Sequence, residues 1–461
     1  MDKALLWNMY KSLVWNILSV VFVAFAITAR GAGTPPETQH YIDIIRQNIF
    51  KEYKGMFKPA KGVLKHPFIT PGCSSYQDQL WDWDSWLTDI ALRQILLENG
   101  SPDDKKEAIQ YEQGCVLNFL DNVNNGYVPI VIGPSGKSFF GTGADFIPWQ
   151  HNMHKPCLAQ HAAFLVKLNG GDAEWLRDQF PRLQAFVNCY YNHYHNKATG
   201  LYYWQTDECI GVDNDPSTFF RPYGSSGSIL LNCFMYKELQ SMVYLAGCLN
   251  EAEIGNSYQK MADDLLQSIR EHCWDPKDGF YYSVDLNLRP VTQPEGTWQF
   301  HMGEPRNWDC LIQRLGVWSG FLAMWSGVAT PEQAKQMVEK NFSDTNTFNA
   351  PYGIRSLAKT EKMYDVRATS NPSNWLGPIW LNANYMVFRG LVKYGYTTEA
   401  RELVEKTVKL IGMDFEKNGV LHEFYLPENG EPVMNQGFQD WNYLVLNMIA
   451  WYEGKPVIEE F

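Results

Sequence analysis

The chain has 461 residues, of which 45% are hydrophobic and 15% aromatic, so it can bury a large core and is not a disordered protein. Its formal net charge of −12 excludes a protein that holds the phosphates of a nucleic acid, because such contacts need clustered Lys and Arg side chains. We therefore expect a globular protein with no nucleic-acid partner.

The N-terminal segment has the features of a targeting signal. Lys3 and Lys11 precede a largely apolar run over residues 13–29, which ends in small residues. We expect residues 1–33 to be a secretory signal peptide, and the protein to be secreted or periplasmic. An uncleaved membrane anchor is the alternative, since the run is long for a signal core and short for a membrane span of about 20 residues.

Apolar residues recur at helical spacing through the rest of the chain. Twelve amphipathic helices are predicted, near residues 37–53, 81–98, 103–122, 157–168, 174–194, 226–250, 255–272, 312–326, 331–341, 377–394, 397–413 and 436–453. Strand-like alternation is sparse, and short pieces such as 200–204 and 279–283 are predicted as small β-hairpins at one rim. The absence of a repeat period of about 30–50 residues argues against a helical solenoid. The pattern predicts an all-α fold, an (α/α)6 barrel of six helical hairpins that forms one domain over residues 37–461.

A cluster of Trp and Asp side chains marks the start of the second predicted helix, where Trp81, Trp83 and Asp84 lie at a junction of loop and helix. Indole rings stack on the C–H faces of sugars, and carboxylates accept hydrogen bonds from sugar hydroxyls. The alternative is an ordinary helix start whose acids interact with the helix dipole. We predict that these three residues bind a sugar. Gln160, which follows the polar segment 146–156, is predicted to line the same cleft.

A third polar segment carries four acidic residues within the nine positions 207–215. Their mutual repulsion raises the proton affinity of at least one of them, as a general acid at neutral pH requires. Glu423 lies far along the chain in a turn-like segment flanked by aromatic residues. Hydrolysis of a glycosidic bond requires two carboxyl groups held apart by a rigid scaffold. Asp213 and Glu423 are therefore predicted as a catalytic pair, compatible at this point with retaining or inverting chemistry.

The predicted helix near 377–394 also begins beside Trp and amide side chains. Trp375, Trp380 and Asn384 lie where the preceding loop becomes that helix, and we predict that they contact the sugar.

Neither a cofactor nor a metal site is predicted. His151 and His154 lack an acidic ligand at helical spacing. Asp213 and Asp215 begin like a calcium loop, but Pro216 follows and no distal Glu completes the motif. A structural calcium without a motif is left open. The nine cysteines lack CxxC spacing, so most are expected to be buried apolar residues, with one or two disulfides left open.

Four motifs, in this order, resemble those of glycoside hydrolase family 63, which includes processing α-glucosidases and mannosylglycerate hydrolases. They are Trp81-x-Trp83-Asp84, Gly211-Val212-Asp213-Asn214-Asp215-Pro216, Gly377-Pro378-Ile379-Trp380-x-Asn382-x-Asn384-Tyr385 and His422-Glu423-Phe424-Tyr425. The resemblance covers roughly residues 40–455 and extends more distantly to trehalases. It implies an (α/α)6 barrel that hydrolyses an α-glycosidic bond with inversion, with Asp213 as general acid and Glu423 as general base.

The resemblance further implies an exo-acting α-glycosidase, and we predict an α-glucosidase acting on an oligosaccharide or a small glycoside. Inversion implies carboxyl groups about 6.5–9.5 Å apart. Two departures from the family pattern lie beside the predicted pocket: Cys209 and Ile210 replace Glu and Ser, and Leu376 replaces Arg. A non-catalytic carbohydrate-binding protein, or a lyase or epimerase on the same scaffold, is the alternative. Membrane contact is expected only if residues 1–33 stay uncleaved, and the oligomeric state is left open.

Overall fold

The computed structural model describes residues 34–137, 147–288, 307–367 and 373–461. The predicted signal or anchor, residues 1–33, lies outside these ranges, so secretion or anchoring stays a prediction. No helix within these ranges is long and apolar enough to cross a bilayer. The nine cysteines all lie in the described ranges, and there each of them is a free thiol.

Helices dominate the described chain. They are α1 (Pro36–Glu52), α2 (Cys73–Tyr76), α3 (Asp82–Asn99), α4 (Pro102–Asp121), α5 (Leu158–Leu168), α6 (Phe180–His193), α7 (Ile229–Cys248), α8 (Ala252–His272), α9 (Leu322–Trp325), α10 (Pro331–Met337), α11 (Leu381–Lys393), α12 (Thr397–Asn418) and α13 (Val445–Tyr452). Turns of 3-10 helix lead into three of them, over Glu174–Gln179 before α6, Trp318–Phe321 before α9 and Asp440–Leu444 before α13. A helix is thus found in each of the twelve segments where the sequence predicts one.

Six of these helices form a closed inner ring. Helices α3, α5, α7, α9, α11 and α13 are buried over most of their length, and each packs on the next around the ring, with α13 returning to α3. The helices that alternate with them in the chain are α1, α4, α6, α8, α10 and α12. Of these, α1, α4, α8 and α12 pack directly on inner helices, and α12 packs on α1 where the ring closes. The predicted (α/α)6 barrel is therefore confirmed.

Local sequence explains where several outer helices begin and end. Ser101 Oγ accepts a hydrogen bond from the backbone N–H of Asp104 at 3.1 Å, and the Asp104 carboxylate accepts one in return from the backbone N–H of Ser101. Thr330 and Gln333 form the same reciprocal cap ahead of α10. These reciprocal caps supply hydrogen-bond acceptors to backbone N–H groups that have no partner within the first turn of the helix. Helix α12 ends at Gly419, whose φ of 69° is a left-handed conformation that glycine adopts without strain.

Strands are short antiparallel pairs between the helices. They are β1 (Phe57–Lys58), β2 (Phe68–Ile69), β3 (Leu80–Trp81), β4 (Val131–Ile132), β5 (Ser226–Gly227), β6 (Trp274–Asp275), β7 (Phe280–Tyr281), β8 (Val284–Asp285), β9 (Leu311–Ile312), β10 (Asn349–Ala350), β11 (Gly353–Ile354), β12 (Phe424–Tyr425) and β13 (Pro432–Val433). Strands β5, β8 and β9 form one sheet of three, and β6 pairs with β7 as the predicted hairpin near 279–283. The predicted hairpin at 200–204 is reduced to a bridge between His195 and Tyr202.

One predicted helix begins later than its apolar pattern indicates. Residues 311–312 extend the sheet as β9, and the backbone N–H of Gln313 donates to the carbonyl of Ser283 at 2.9 Å. Helical structure starts only at Trp318. Pairing with β8 therefore overrides the helical periodicity of this segment.

The N-terminal ends of the inner helices meet at one end of the ring. Helix α3 starts at Asp82, Trp380 directly precedes α11, and Trp441 lies in the turn that leads into α13. Helical side chains tilt toward the N-terminus of their helix, so the first turns of several inner helices direct their side chains to this end. The loops between these helices enclose a concave site there.

Candidate active site

A cavity of about 460 Å³ lies at this end of the ring, within the range of about 300–1,000 Å³ found for ligand sites. Its wall is largely aromatic and acidic. The lining residues are Tyr76, Trp81, Trp83, Asp84, Ile130, Lys155, Asp207, Glu208, Cys209, Gly211, Asp213, Phe219, Ser373, Trp380, Glu423 and Trp441. The structure thus brings together both predicted catalytic acids and four of the predicted sugar-binding residues.

Glu423 is held at the cavity by the strand pair that follows it. Its backbone N–H donates to the carbonyl of Met434 at 3.2 Å, and its side chain is buried. The carboxylate accepts hydrogen bonds from Asn435 Nδ2 and from Tyr76 Oη, which lies 3.3 Å from Oε2. Burial, with the negative charges of Asp84 and Asp213, raises the pKa of Glu423 to about 7 despite these two hydrogen bonds. Glu423 is therefore suited to exchange a proton near neutral pH.

Asp213 lies in a loop that is joined to the segment before α11. The side chain of Asn214 donates to Asn374 Oδ1 at 3.0 Å and accepts from the backbone N–H of Trp375 at 2.6 Å. Burial raises the pKa of Asp213, while a hydrogen bond from Ser373 and the nearby Lys155 charge oppose this rise. A carboxyl group whose proton affinity is raised in this way is suited to donate a proton.

The two acids belong to one electrostatic unit. Both line the same cavity, and the charge of Asp213 contributes to the raised pKa of Glu423. The separation of about 6.5–9.5 Å that inversion requires stays a prediction.

A buried ion pair braces the wall beside Asp213. Lys155 Nζ lies 2.9 and 3.0 Å from the two carboxylate oxygens of Asp82, and the side chains are 2% and 0% exposed. Burial lowers the pKa of Lys155, but the charge and hydrogen bonds of Asp82, together with the charge of Asp84, outweigh it, so the pKa is raised. Lys155 Nζ also lies 4.9 Å from the ring centroid of Trp83. A Cβ atom at Gly211 would lie 2.3 Å from Lys155 Cε, so the close approach of this loop requires glycine.

A second buried pair consists of two carboxyl groups. Asp84 interacts with Asp440, whose Oδ1 accepts a hydrogen bond from Thr88 Oγ1 at 2.8 Å. Burial and the Asp440 charge raise the pKa of Asp84 well above its usual value, and burial raises the pKa of Asp440 to about 7. Two buried carboxyl groups that repel each other favour the protonated form of at least one of them.

The tryptophans form a layered wall. Trp380 lines the cavity and stacks on Trp375 behind it, with ring centroids 4.1 Å apart and planes 7° apart. Trp318 stacks on the far face of Trp375 at 6.0 Å. Trp83 meets Trp441 edge to face at 5.7 Å, and the same cluster is closed by contacts of Trp83 with Trp375 at 6.3 Å and of Trp441 with Trp380 at 6.2 Å. Rings fixed by such packing present rigid apolar faces to a ligand.

Three predicted sugar-binding residues lie outside the set of residues that line the cavity, and their contact with a sugar stays a prediction. Trp375 is the buried support of Trp380. Gln160 is fully buried, and its Nε2 donates to the carbonyls of Pro156 and Phe234. Asn384 accepts from the backbone N–H of Ile354 at 2.8 Å and donates to Thr407 Oγ1 at 3.0 Å. A helix directs only part of its surface to the cavity, and these side chains point to neighbouring elements instead.

The structure also adds residues that sequence reasoning missed. Tyr76, Lys155 and Phe219 line the cavity, and Asp440 and Trp441 reach the site from the turn before α13. One signal was present, because Asp440-Trp441 repeats the Asp-Trp pair, Asp82-Trp83, at the start of α3. Tyr76 carried no such signal, as it contacts Glu423 across 347 positions of the chain.

In the polar segment ahead of α5, the His154 side chain is buried and hydrogen-bonded within the protein and is not part of a metal site. His154 is buried, its Nδ1 lies 2.6 Å from the carbonyl of Lys155, and burial lowers its pKa to about 4. Across the four described ranges, no group of three or more His, Cys, Asp or Glu side chains is arranged to hold a metal ion.

Solved structures share the fold. The mannosylglycerate hydrolase of family GH63 from Thermus thermophilus, crystallised with glucose, superposes with a TM-score of 0.62 at 18% identity, covering 89% of this chain and 99% of that chain. At this identity the likeness concerns the fold alone. It nevertheless covers almost the whole of the solved chain.

Curated relatives are similar in sequence over part of their length. A probable mannosyl-oligosaccharide glucosidase of Schizosaccharomyces pombe is 25% identical over 308 residues, which is 64% of this chain and 34% of that protein. Alpha-glucosidase 2 of Arabidopsis thaliana is 23% identical over 327 residues, 62% of this chain and 41% of that protein. The chain therefore spans well under half the length of either relative.

A family model covers most of the chain, including the loops that carry both acids. It matches residues 77–442 and describes a mannosylglycerate hydrolase MGH1-like glycoside hydrolase domain. The matched range starts just ahead of Trp81 and ends just beyond Trp441, and so encloses nearly the whole cavity wall. The chain belongs to the MGH1-like glycoside hydrolases, as its resemblance to glycoside hydrolase family 63 predicts.

Proposed function

We propose that this protein is an inverting, exo-acting α-glucosidase that releases a terminal α-linked glucose from an oligosaccharide. The observation that carries the proposal is that Asp213 and Glu423 line one cavity whose walls are tryptophan. Two opposed carboxyl groups, one donating a proton and one activating water, are the minimum that such hydrolysis requires. The names of the two curated relatives, a glucosidase and an α-glucosidase, support glucose as the sugar.

In this mechanism Asp213 protonates the oxygen of the leaving group. Burial raises its pKa and so favours the protonated form that a general acid needs. Glu423, ionised, removes a proton from the water that attacks the anomeric carbon from the opposite face. Hydrogen bonds from Tyr76 and Asn435 fix the direction of its carboxylate. Trp83 and the edge of Trp380, whose faces are covered by Trp375 and Phe424, supply apolar surface for the sugar ring, and Asp84 accepts hydrogen bonds from its hydroxyls.

The alternative functions, a carbohydrate-binding protein and a lyase or epimerase, explain fewer features of this site. A carbohydrate-binding protein needs the tryptophans but not two opposed acids of raised pKa in the same cavity. A lyase or an epimerase needs a base beside an acidic C–H bond, for which His and Tyr are frequent choices. Tyr76, among the described residues that line the cavity, has its pKa raised far above the usual value, chiefly by burial, so it is a poor base.

Substrate assays test this proposal. The protein should release glucose from one or more α-linked glucose disaccharides, and should leave the β-linked disaccharides of the same linkage positions intact. Release from β-linked substrates, or binding of α-linked sugars without turnover, would refute it.

The pH dependence of kcat/KM should respond to Tyr76. Replacing Tyr76 with Phe removes a hydrogen bond that favours ionised Glu423, so its pKa should rise above the present value of about 7. One such bond is worth about 0.5–1.5 kcal/mol, which corresponds to a rise of about 0.5–1 pH unit. The limb of the profile that Glu423 controls should therefore move to higher pH by that amount.

The sign follows from the role of Glu423, which is active only after it loses its proton. If Asp213 titrates above Glu423, the acidic limb moves and activity at pH 6 falls. If the pKa of Asp213 lies below that of Glu423, the active form carries its proton on the group with the lower pKa. Glu423 then controls the alkaline limb of the profile, and that limb moves instead. Tyr111→Phe, which alters a ring that stacks on Phe57 outside the cavity, is the control and should leave both limbs in place. Unmoved limbs in Tyr76→Phe would contradict the assigned hydrogen bond.

A further inference from the structure

Two adjacent phenylalanines lie where the cavity wall meets the surface. Phe219 lines the cavity, and its neighbour Phe220 is 83% exposed, the most exposed of the large hydrophobic side chains in the described ranges. The two rings contact each other, with centroids 4.1 Å apart and planes inclined by 42°. They form a continuous aromatic strip, Phe219 and Phe220, from the cavity to the solvent, here named the aromatic platform.

The backbone of the platform is held in a costly conformation. Phe220 has a φ of 60°, a left-handed value that is rare for an aromatic residue. Its backbone N–H donates to Asp207 Oδ2 at 2.8 Å, and the N–H of Phe219 donates to the carbonyl of Asp215 at 2.8 Å. Next to it Arg221 is paired with Asp285 on β8. Such strain persists only when the surroundings enforce it, and it is concentrated at ligand sites.

Electrostatics at the platform disfavour an anion. Asp207 and the exposed Glu208 line the adjoining wall, and Asp213 lies just beyond them. The one cationic group among the described lining residues, Lys155, is already paired with Asp82. A carboxylate on the leaving group would therefore meet like charges, whereas sugar hydroxyls donate hydrogen bonds to the same acids.

We propose that the aromatic platform is the binding site for the leaving group, and that it takes a neutral sugar ring joined to the glucose that is released. The inference rests on the proposed function and narrows its substrate class to uncharged oligosaccharides. The occupant follows from continuity, because Phe219 lines the cavity that takes the terminal sugar and Phe220 extends the same aromatic surface to the solvent. Aromatic faces stack on the C–H faces of sugars and make no demand for charge.

A glycine substitution tests the platform without damaging the fold. Phe220→Gly removes the exposed ring, and glycine adopts a φ of 60° without strain, so the variant should fold at least as well as the native chain. The readout is the ratio of kcat/KM for an α-linked glucose trisaccharide to that for α-glucosyl fluoride, which has no leaving sugar. This ratio should fall about two- to tenfold, the value of one aromatic contact.

Two variants serve as controls for this ratio. Phe220→Trp retains a ring and should restore most of it. Tyr191→Ala removes an aromatic side chain that is 49% exposed on α6, outside the cavity lining, and should not alter it. An unchanged ratio in Phe220→Gly would overturn the platform. Failure of the native protein to hydrolyse either substrate would instead overturn the proposed function.

The preference for a neutral leaving group has its own matched pair of substrates. α-Glucosylglycerol and α-glucosylglycerate differ only in whether the leaving group ends in a hydroxymethyl group or a carboxylate. The native protein should favour the neutral compound in kcat/KM, and Glu208→Gln should narrow that preference. A native preference for the carboxylate, or a preference that Glu208→Gln leaves unchanged, would overturn this part of the inference.

Discussion

Replacing Glu423 with Gln should lower kcat about 10²- to 10⁴-fold, the usual contribution of a positioned general base. Gln keeps the size of the side chain but cannot accept the proton of the attacking water. The loss should be equally large with α-glucosyl fluoride, because water attacks the anomeric carbon of every substrate. Initial rates with an α-linked disaccharide and with the fluoride measure both effects.

Asp213→Asn is the matched variant that separates the two roles. Fluoride leaves without needing a proton, so this variant should lose about as much activity on the disaccharide as Glu423→Gln and far less on the fluoride. Equal losses on both substrates in the two variants would refute the separate assignment of acid and base. Full activity in either variant would remove that residue from the mechanism. Unchanged thermal unfolding would show that each variant is folded.

Replacing Lys155 with Met should cost about 3–5 kcal/mol of unfolding free energy. The change leaves Asp82 buried with its charge uncompensated, since Asp82 is 0% exposed and Lys155 is its cationic partner. Backbone N–H groups of Trp83 and Lys155 still donate to the carboxylate at 2.7 and 2.9 Å, which keeps the cost finite. Chemical denaturation of the native and variant proteins measures the difference.

Two further variants show whether the cost comes from the stranded charge. Asp82→Asn combined with Lys155→Met removes both charges and should recover most of the loss, because a buried pair adds little over a neutral replacement. Lys335→Met breaks an exposed pair with Glu339, whose members are 61% and 57% exposed, and should cost no more than about 0.5 kcal/mol. A cost of that small size in Lys155→Met would contradict a buried, uncompensated Asp82.

Much of the fold follows from the sequence because helical periodicity is a local property. The apolar spacing locates all six inner and six outer helices. The helix predicted over 312–326 begins only at Trp318, because β9 pairs residues 311–312 with β8. Ring closure depends on α13 packing on α3 and α12 on α1, contacts between the two ends of the described domain. The helix count predicts that closure, although no local pattern contains it.

The site is predicted less completely, because local sequence does not reveal where a side chain points. Trp83 and Asp84, in the first turn of α3, face the cavity. Asn384, in the first turn of α11, instead accepts a hydrogen bond from the backbone N–H of Ile354. Trp375 and Trp380 are both tryptophans of the segment that leads into α11, so the sequence does not distinguish them. Trp380 lines the cavity, whereas Trp375 stacks behind it.

Contacts between residues that are far apart in the chain are the other part of the site that the sequence does not predict. Lys155 meets Asp82 across 73 positions, and Asp440 meets Thr88 across 352. Cys209, where the chain departs from the family pattern, lines the cavity together with Glu208, in the loop that carries Asp213. This is the wall where a change of leaving-group preference is expected.

The configuration of the released sugar tests the central claim most directly, that Asp213 donates a proton while Glu423 activates water on the opposite face. Proton NMR within the first minutes of hydrolysis of an α-linked glucose disaccharide reports the anomer before it equilibrates. The mechanism predicts β-glucose as the first product. α-Glucose as the first product would contradict it.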